Sequence, residues 1–213
     1  MRVAIRRDWP WATLVVVVAC VLLAVAPAAL IERLSGNRSA ILQGEFWRLW
    51  SGHVVHFSLR HALIDSATLL VISGIAEAEF GSRRVALLLL VGAPLMSIGM
   101  MFATPELIDY RGASAIAVML ATAVGVSWWR SRAASRCVLG VLALGLLAKI
   151  GCDAVGMSLT LAELPDAVRV AWQGHLLGAV LGGLWFLGLA RMPHAATRSN
   201  RGAFPRITPS ISA

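Results

Sequence analysis

With 213 residues, of which 58% are hydrophobic and only 14% charged, and a mean hydropathy of +0.76, the chain is too apolar for a soluble domain, which carries charges at about 25% of positions. The net charge of +8 needs no nucleic-acid partner, because it follows from a topology against anionic lipid and no aromatic-basic interleaving points elsewhere. The expected fold class is an all-α polytopic membrane protein.

Against a window of about 20 apolar residues, residues 1–10 form a short N-terminal segment and a first span is expected at Trp11–Ile31. Arg6 and Arg7 before an apolar run, with small residues from Ala24 to Ala29, imitate a secretory signal. The run continues past Cys20, and keeping it as a span makes every later loop obey the charge rule. Further spans are expected at His61–Ala78, Val85–Ala103, Ser114–Trp129, Cys137–Gly151 and Ala171–Ala190. The fourth and fifth are short, so they stop short of the full hydrocarbon thickness or sit where the bilayer is thinned. Residues 11–190 thus read as one six-span domain, and 191–213, with Pro193, Pro205 and Pro209 among serines and arginines, as a disordered basic tail. Cys20, Cys137 and Cys152 lie in or beside spans and read as small apolar residues, with no disulfide or metal framework.

Orientation follows from the arginines, since basic residues in short loops stay cytoplasmic. Arg2, Arg6, Arg7, Arg83, Arg84, Arg130, Arg132, Arg136, Arg191, Arg198, Arg201 and Arg206 fall on one side, twelve of the nineteen basic residues. The opposite loops dilute Arg33, Arg38, Arg48, Arg60, Arg111 and Arg169 with seven acids, Asp153 among them. Both termini are expected to be cytoplasmic.

Polar residues placed by depth, at about 1.5 Å per helical residue, converge on a layer just below the outer surface. Ser114 in Gly112-Ala113-Ser114-Ala115 and His175 in Gly174-His175-Leu176-Leu177-Gly178 open spans entering from that face. His61 and Asp65, one turn apart, descend from the same face, and Lys149 lies about a turn below the outer end of the fifth span. Unpaired polar groups at this depth are costly and mark function; a cavity open to water is needed. Gly174, Gly178 and Gly182 form one small-residue stripe and Ala117, Ala121 and Gly125 another, faces along which helix backbones approach closely. That approach would bring Ser114 within reach of His175, a nucleophile and its general base. No acid is evident beside His175, so a dyad is expected rather than a triad.

These motifs, in this order, resemble the rhomboid family of intramembrane serine proteases. Trp47-Arg48 matches its outer-loop pair; His56, His61 and Asp65 hold the positions of His-x4-His-x3-Asn; Glu77 and Gly81 match Glu-x3-Gly. Gly112 to Ala115 correspond to Gly-x-Ser-Gly, and His175, Gly178 and Gly182 to His-x2-Gly-x3-Gly. The resemblance runs from about Gly44 to Gly183, and the compact six-span form with Lys149 favours the rhombosortase branch. It implies a six-helix bundle with Ser114 as nucleophile, His175 as base, and His61 with the Ser114 backbone N–H as oxyanion donors, no cofactor being needed. It further implies a bacterial inner-membrane protein with its site toward the periplasmic face, acting on a membrane-anchored substrate whose C-terminal sorting segment begins with Gly-Gly before an apolar span and a basic tail.

Three positions depart from the pattern: Asp65 for asparagine, Ala115 for glycine, and Val118 where an aromatic or histidine side chain often packs on the base. An ionised Asp65 would repel an oxyanion that asparagine would receive. It serves if protonated, if it holds His61 as an imidazolium, or if it pairs instead with Lys149. Ordinary roles exist for each residue: Ser114 as an N-cap or helix contact, His175 as a bridge between helices, Lys149 as a snorkelling or neutralising cation. His53 and His56 lie in a loop with no evident third ligand, which favours packing over metal. Glu77 and Glu79 read as solvating the cytoplasmic end of the second span, with Arg83 or Arg84 in reach. An inactive client-binding relative with the same fold, and a small transporter using Asp65, Lys149 and His175 as a polar path, are the competing functions; no inverted repeat supports the second.

Overall fold

The computed structural model describes residues 9–157, 164, 168 and 170–189. The tail expected over 191–213, and most of the segment 1–10, lie outside the described residues. Within them the regular structure is helical, with no strand: α1 (Trp11–Leu23), α2 (Ala28–Leu34), α3 (Arg38–Leu42), α4 (Arg48–Ser51), α5 (Leu59–Phe80), α6 (Ser82–Ala103), α7 (Ser114–Ser131), α8 (Arg136–Ala154) and α9 (Trp172–Leu189).

Of these, α5, α6 and α8 are long and apolar enough to cross a membrane, and α1 is a shorter apolar helix. The single span expected at Trp11–Ile31 is broken. Its helix ends at Leu23 and a new one starts at Ala28, after Pro27. Proline lacks the N–H that would continue the ladder and disfavours helix in the residue before it. The fifth segment, expected to be short, runs 19 residues because the polar ends Arg136 and Asp153 are drawn into the helix.

Polar clamps join the helices at the end of α5 that leads into α6. The buried Glu77 carboxylate on α5 accepts from the Thr13 backbone N–H at 2.5 Å and the Thr13 hydroxyl at 2.6 Å, tying α1 to α5. Glu79 accepts from Ser127 Oγ at 2.6 Å and Trp128 Nε1 at 3.2 Å on α7. Both carboxylates expected to face solvent are therefore cross-helix acceptors, as burial without partners would be costly. Gly81 makes the turn into α6 with φ 84°, a conformation open to glycine and strained for other residues.

At the centre lies α7, packed against α5 on one side and α9 on the other. It buries Ala115, Ile116, Ala117, Met119, Leu120, Ala123 and Val124. A Cβ at Gly178 would collide with the Ala115 carbonyl oxygen, and one at Gly182 with that of Met119. Backbones touch here because the α9 glycines have no side chain. The α9 stripe is the expected one, but α7 meets it along Ala115, Met119 and Ala123 rather than Ala117, Ala121 and Gly125. By contrast α8 stands at the edge, burying only Ile150 and Asp153.

Replacing Gly182 with valine forces α7 and α9 apart. Thermal unfolding in detergent is expected to show a loss of at least about 1–3 kcal/mol, the usual cost of overpacking, whereas Gly183→Ala, with open space at that position, is expected to be near neutral.

Candidate active site

Two loops carry the polar layer to the mouth of the bundle. Gly36 and Tyr110 exchange backbone hydrogen bonds at 2.9 and 3.2 Å, and the Gly112 N–H donates to the Gly52 carbonyl at 3.1 Å. Tyr110 donates its hydroxyl to the Gly112 carbonyl at 2.9 Å, and Arg38 donates to the Met101 carbonyl. Arg48, buried despite its charge, donates to the carbonyls of Glu32 at 2.7 Å and Ser35 at 2.9 Å and to Glu45 Oε2 at 2.6 Å. The Trp47-Arg48 pair thus organises the loop from inside, Trp47 donating to the Arg33 carbonyl at 3.3 Å.

His53 is wholly buried beneath this loop, its Nε2 3.1 Å from the Ala93 carbonyl and 3.0 Å from Ser97 Oγ. Burial pushes its imidazole down to about 4, against the opposing pull of the Ala93 carbonyl.

Gly112, at φ 129°, delivers the chain into α7 so that Ser114 is its first residue. A Cβ there would lie 3.0 Å from His61 Nε2, so glycine is required by conformation and by space. Ser114 Oγ and His175 Nε2 are 3.0 Å apart, joining the start of α7 to the first turn of α9. Ala115 fits where glycine was expected because Gly174 faces its methyl: a Cβ on Gly174 would be 3.5 Å away.

Asp65 does not pair with Lys149. Its Oδ2 accepts from the Ala113 N–H at 2.7 Å and lies 3.2 Å from His56 Nε2 and 3.4 Å from His61 Nε2. Its Oδ2 thus sits between both histidines and the turn that precedes Ser114. His56 is therefore no mere loop-packing residue; its ring meets His61 edge-on at 5.0 Å. Ligand atoms of His56, His61 and Asp65 lie within 4.8 Å of one another, a donor set able in chemistry to hold a metal ion, although Asp65 Oδ2 already accepts from the Ala113 N–H.

Lys149 donates to Asp153 Oδ2 at 2.6 Å, and that oxygen lies 3.6 Å from His175 Nδ1. An acid does stand beside His175, contrary to the expectation of none. Asp153 lies in α8 and not in the outer loop expected for it, because the helix runs past Gly151 to Ala154; its four-residue spacing from Lys149 is the sequence signal for that. Ser114, His175, His61, Asp65, Lys149 and Asp153 all line one open cleft of about 1780 Å³. Its walls are largely apolar, with Ile64 and Ile72 of α5 and Leu142 and Leu146 of α8 among the lining residues. Val118 lines the same cleft. Such a site offers a hydroxyl, an imidazole and oriented N–H groups at the start of a helix in a sheltered space, the elements of acyl transfer.

The Rhomboid domain model matches residues 43–192, most of the chain. The chain belongs to the rhomboid family. Members are usually intramembrane serine proteases, some being inactive relatives, and membership together with the apolar helices makes this rhomboid protein an integral membrane protein. No curated protein matches it.

Two outcomes follow for the rhomboid site. Asp65→Ala leaves the Ala113 N–H unpaired and is expected to cost about 1–3 kcal/mol in detergent unfolding, while Asp65→Asn keeps an acceptor and costs less. His53, with its folded value below the ordinary 6.5, binds fewer protons folded than unfolded, so its contribution is present above about 6.5 and lost as pH falls toward about 4. Unfolding midpoints are expected to drop from pH 7 to pH 5 more steeply in the wild type than in His53→Gln.

Proposed function

We propose that this chain is an active intramembrane serine protease in which Ser114 and His175 cleave a membrane-anchored protein near the outer face. The observation that carries the reading is the 3.0 Å contact between Ser114 Oγ and His175 Nε2 inside the cleft between α5, α7 and α8. A bare serine is a weak nucleophile, and a base within hydrogen-bond reach removes that limit.

His175 Nε2 takes the hydroxyl proton as Ser114 Oγ attacks the scissile carbonyl carbon. The Ser114 N–H, unused by the helix ladder at its first residue, and His61 receive the oxyanion, a contribution of about 2.7–4 kcal/mol per donor. The imidazolium then gives its proton to the leaving amine. Water gives a proton to His175 as it attacks the acyl carbonyl, and the imidazolium returns that proton to Ser114 Oγ as the acyl–oxygen bond breaks, releasing the new carboxyl terminus and restoring the pair. The apolar walls suit a helix that unwinds into the cleft, and the polar mouth supplies the water.

The substrate we assign is a protein with a C-terminal Gly-Gly segment, an apolar span and a basic tail, processed in a bacterial inner membrane with the site on the periplasmic side. Glycines at the cut would let an extended backbone lie close to Ser114. The Asp65 carboxylate beside the oxyanion position favours the second reading, an inactive relative that holds clients.

Coexpression of such a reporter in a bacterial membrane separates the two. Processing is expected with wild type and is expected to fall below about 1% with Ser114→Ala or His175→Ala, given losses of about 10⁴ or more when such groups are removed. Reporter captured equally by wild type and Ser114→Ala, with neither processing it, would establish the inactive reading.

A further inference from the structure

The pair Ser114–His175 leaves one imidazole nitrogen to be explained. For Nε2 to accept the serine proton, Nδ1 must carry the ring hydrogen, and His175 Nδ1 is buried without a hydrogen-bond partner among the described residues. The nearby group is Asp153, whose side chain is 0% exposed and whose Oδ2 lies 3.6 Å from that nitrogen. Its other oxygen, Oδ1, is also buried and unpartnered. A closure of less than about 1 Å would make a full hydrogen bond.

Nothing about α8 as a helix calls for an acid here. Asp153 sits in the last turn of α8, where the negative end of the helix opposes a carboxylate, and burial opposes it again. Lys149, one turn earlier at 2.6 Å, offsets both. It does so from a side chain 38% exposed on the cleft, while the carboxylate is turned inward toward His175. On a helix that buries only Ile150 and Asp153, the acid is a costly residue placed at the spot that meets the base.

We propose that Asp153 is a positioning residue that accepts the Nδ1–H of His175, so that α7, α9 and α8 together build a Ser114–His175–Asp153 relay, with Lys149 anchoring the carboxylate. This rests on the protease reading of the same site. Asp153 fixes the ring orientation and tautomer and stabilises the imidazolium formed when Ser114 attacks; it does not itself take the proton.

The test is the rate at which a fluorophosphonate probe labels Ser114 in the full-length protein in detergent, which needs no natural substrate. In that reaction Ser114 Oγ bonds to phosphorus, fluoride leaves, and the proton passes to His175. Asp153→Asn is expected to slow labelling about tenfold or more, with no further loss when it is added to His175→Ala. Because Asp153→Asn also strands the Lys149 ammonium, Asp153→Asn with Lys149→Met is measured beside it. A purely structural ion pair predicts that this neutral pair restores both the unfolding midpoint and the labelling rate; the relay predicts that the midpoint returns and the rate stays low. Wild-type labelling rates in the neutral pair would overturn the relay while leaving the protease reading standing. Absence of Ser114 labelling in the wild type would overturn the protease reading itself and the relay with it.

Discussion

The close approach of α7 and α9 is the constraint on which the site depends. Gly178 and Gly182 let the α9 backbone press on the carbonyls of Ala115 and Met119, and only at that separation can side chains as short as serine and histidine meet at 3.0 Å. In a lipid solvent there is little hydrophobic drive between helices, so this contact rests on dispersion and fit. Every other feature of the site is arranged around it: the Gly112 turn that starts α7 at Ser114, the Asp65 bond to Ala113 that pins the turn, and the buried loop of Arg48, His53 and Tyr110 that closes the layer above.

Rigidity is not spread evenly. The cluster of α1, α5, α6, α7 and α9 is cross-linked by side-chain bonds such as the buried Thr13 to Glu77 and the half-buried Ser127 to Glu79. The outlying α8 has little of its surface covered, and the cleft opens between it and α5. A closely packed nucleophile–base pair beside a sparsely covered wall suits the proposed reaction, in which the reacting groups need fixed geometry and a substrate helix needs an entry.

Much of this was legible in the sequence. Polar residues are so expensive at membrane depth that Ser114, His175, His61, Asp65 and Lys149 stood out on an apolar background, and all of them line the one cleft. Small residues on α9 announced the close contact. What escaped is also physical. Which face of α7 meets α9 depends on rotation of the helix, and the face that does meet it includes the long Met119, so a search for small residues points to the neighbouring stripe. The break at Pro27 was hidden because hydropathy continues across it. Asp153 was hidden because its charge argued for a loop, and only the pairing with Lys149 shows why the helix keeps it. The positions of His53, His56 and Tyr110 rest on contacts between loops far apart in sequence, such as Gly36 with Tyr110 and Gly52 with Gly112, which no local pattern encodes.

Direct hydrolysis by the purified protein tests the central claim. The chain is reconstituted into liposomes with a single reporter bearing a Gly-Gly, an apolar span and a basic tail, in water enriched in heavy oxygen, and the products are weighed. The account predicts one cut near the outer end of the reporter's span, with one heavy oxygen atom in the new carboxyl group, and no product from Ser114→Ala. An intact reporter that binds the folded wild type, or the same product from Ser114→Ala, would contradict it.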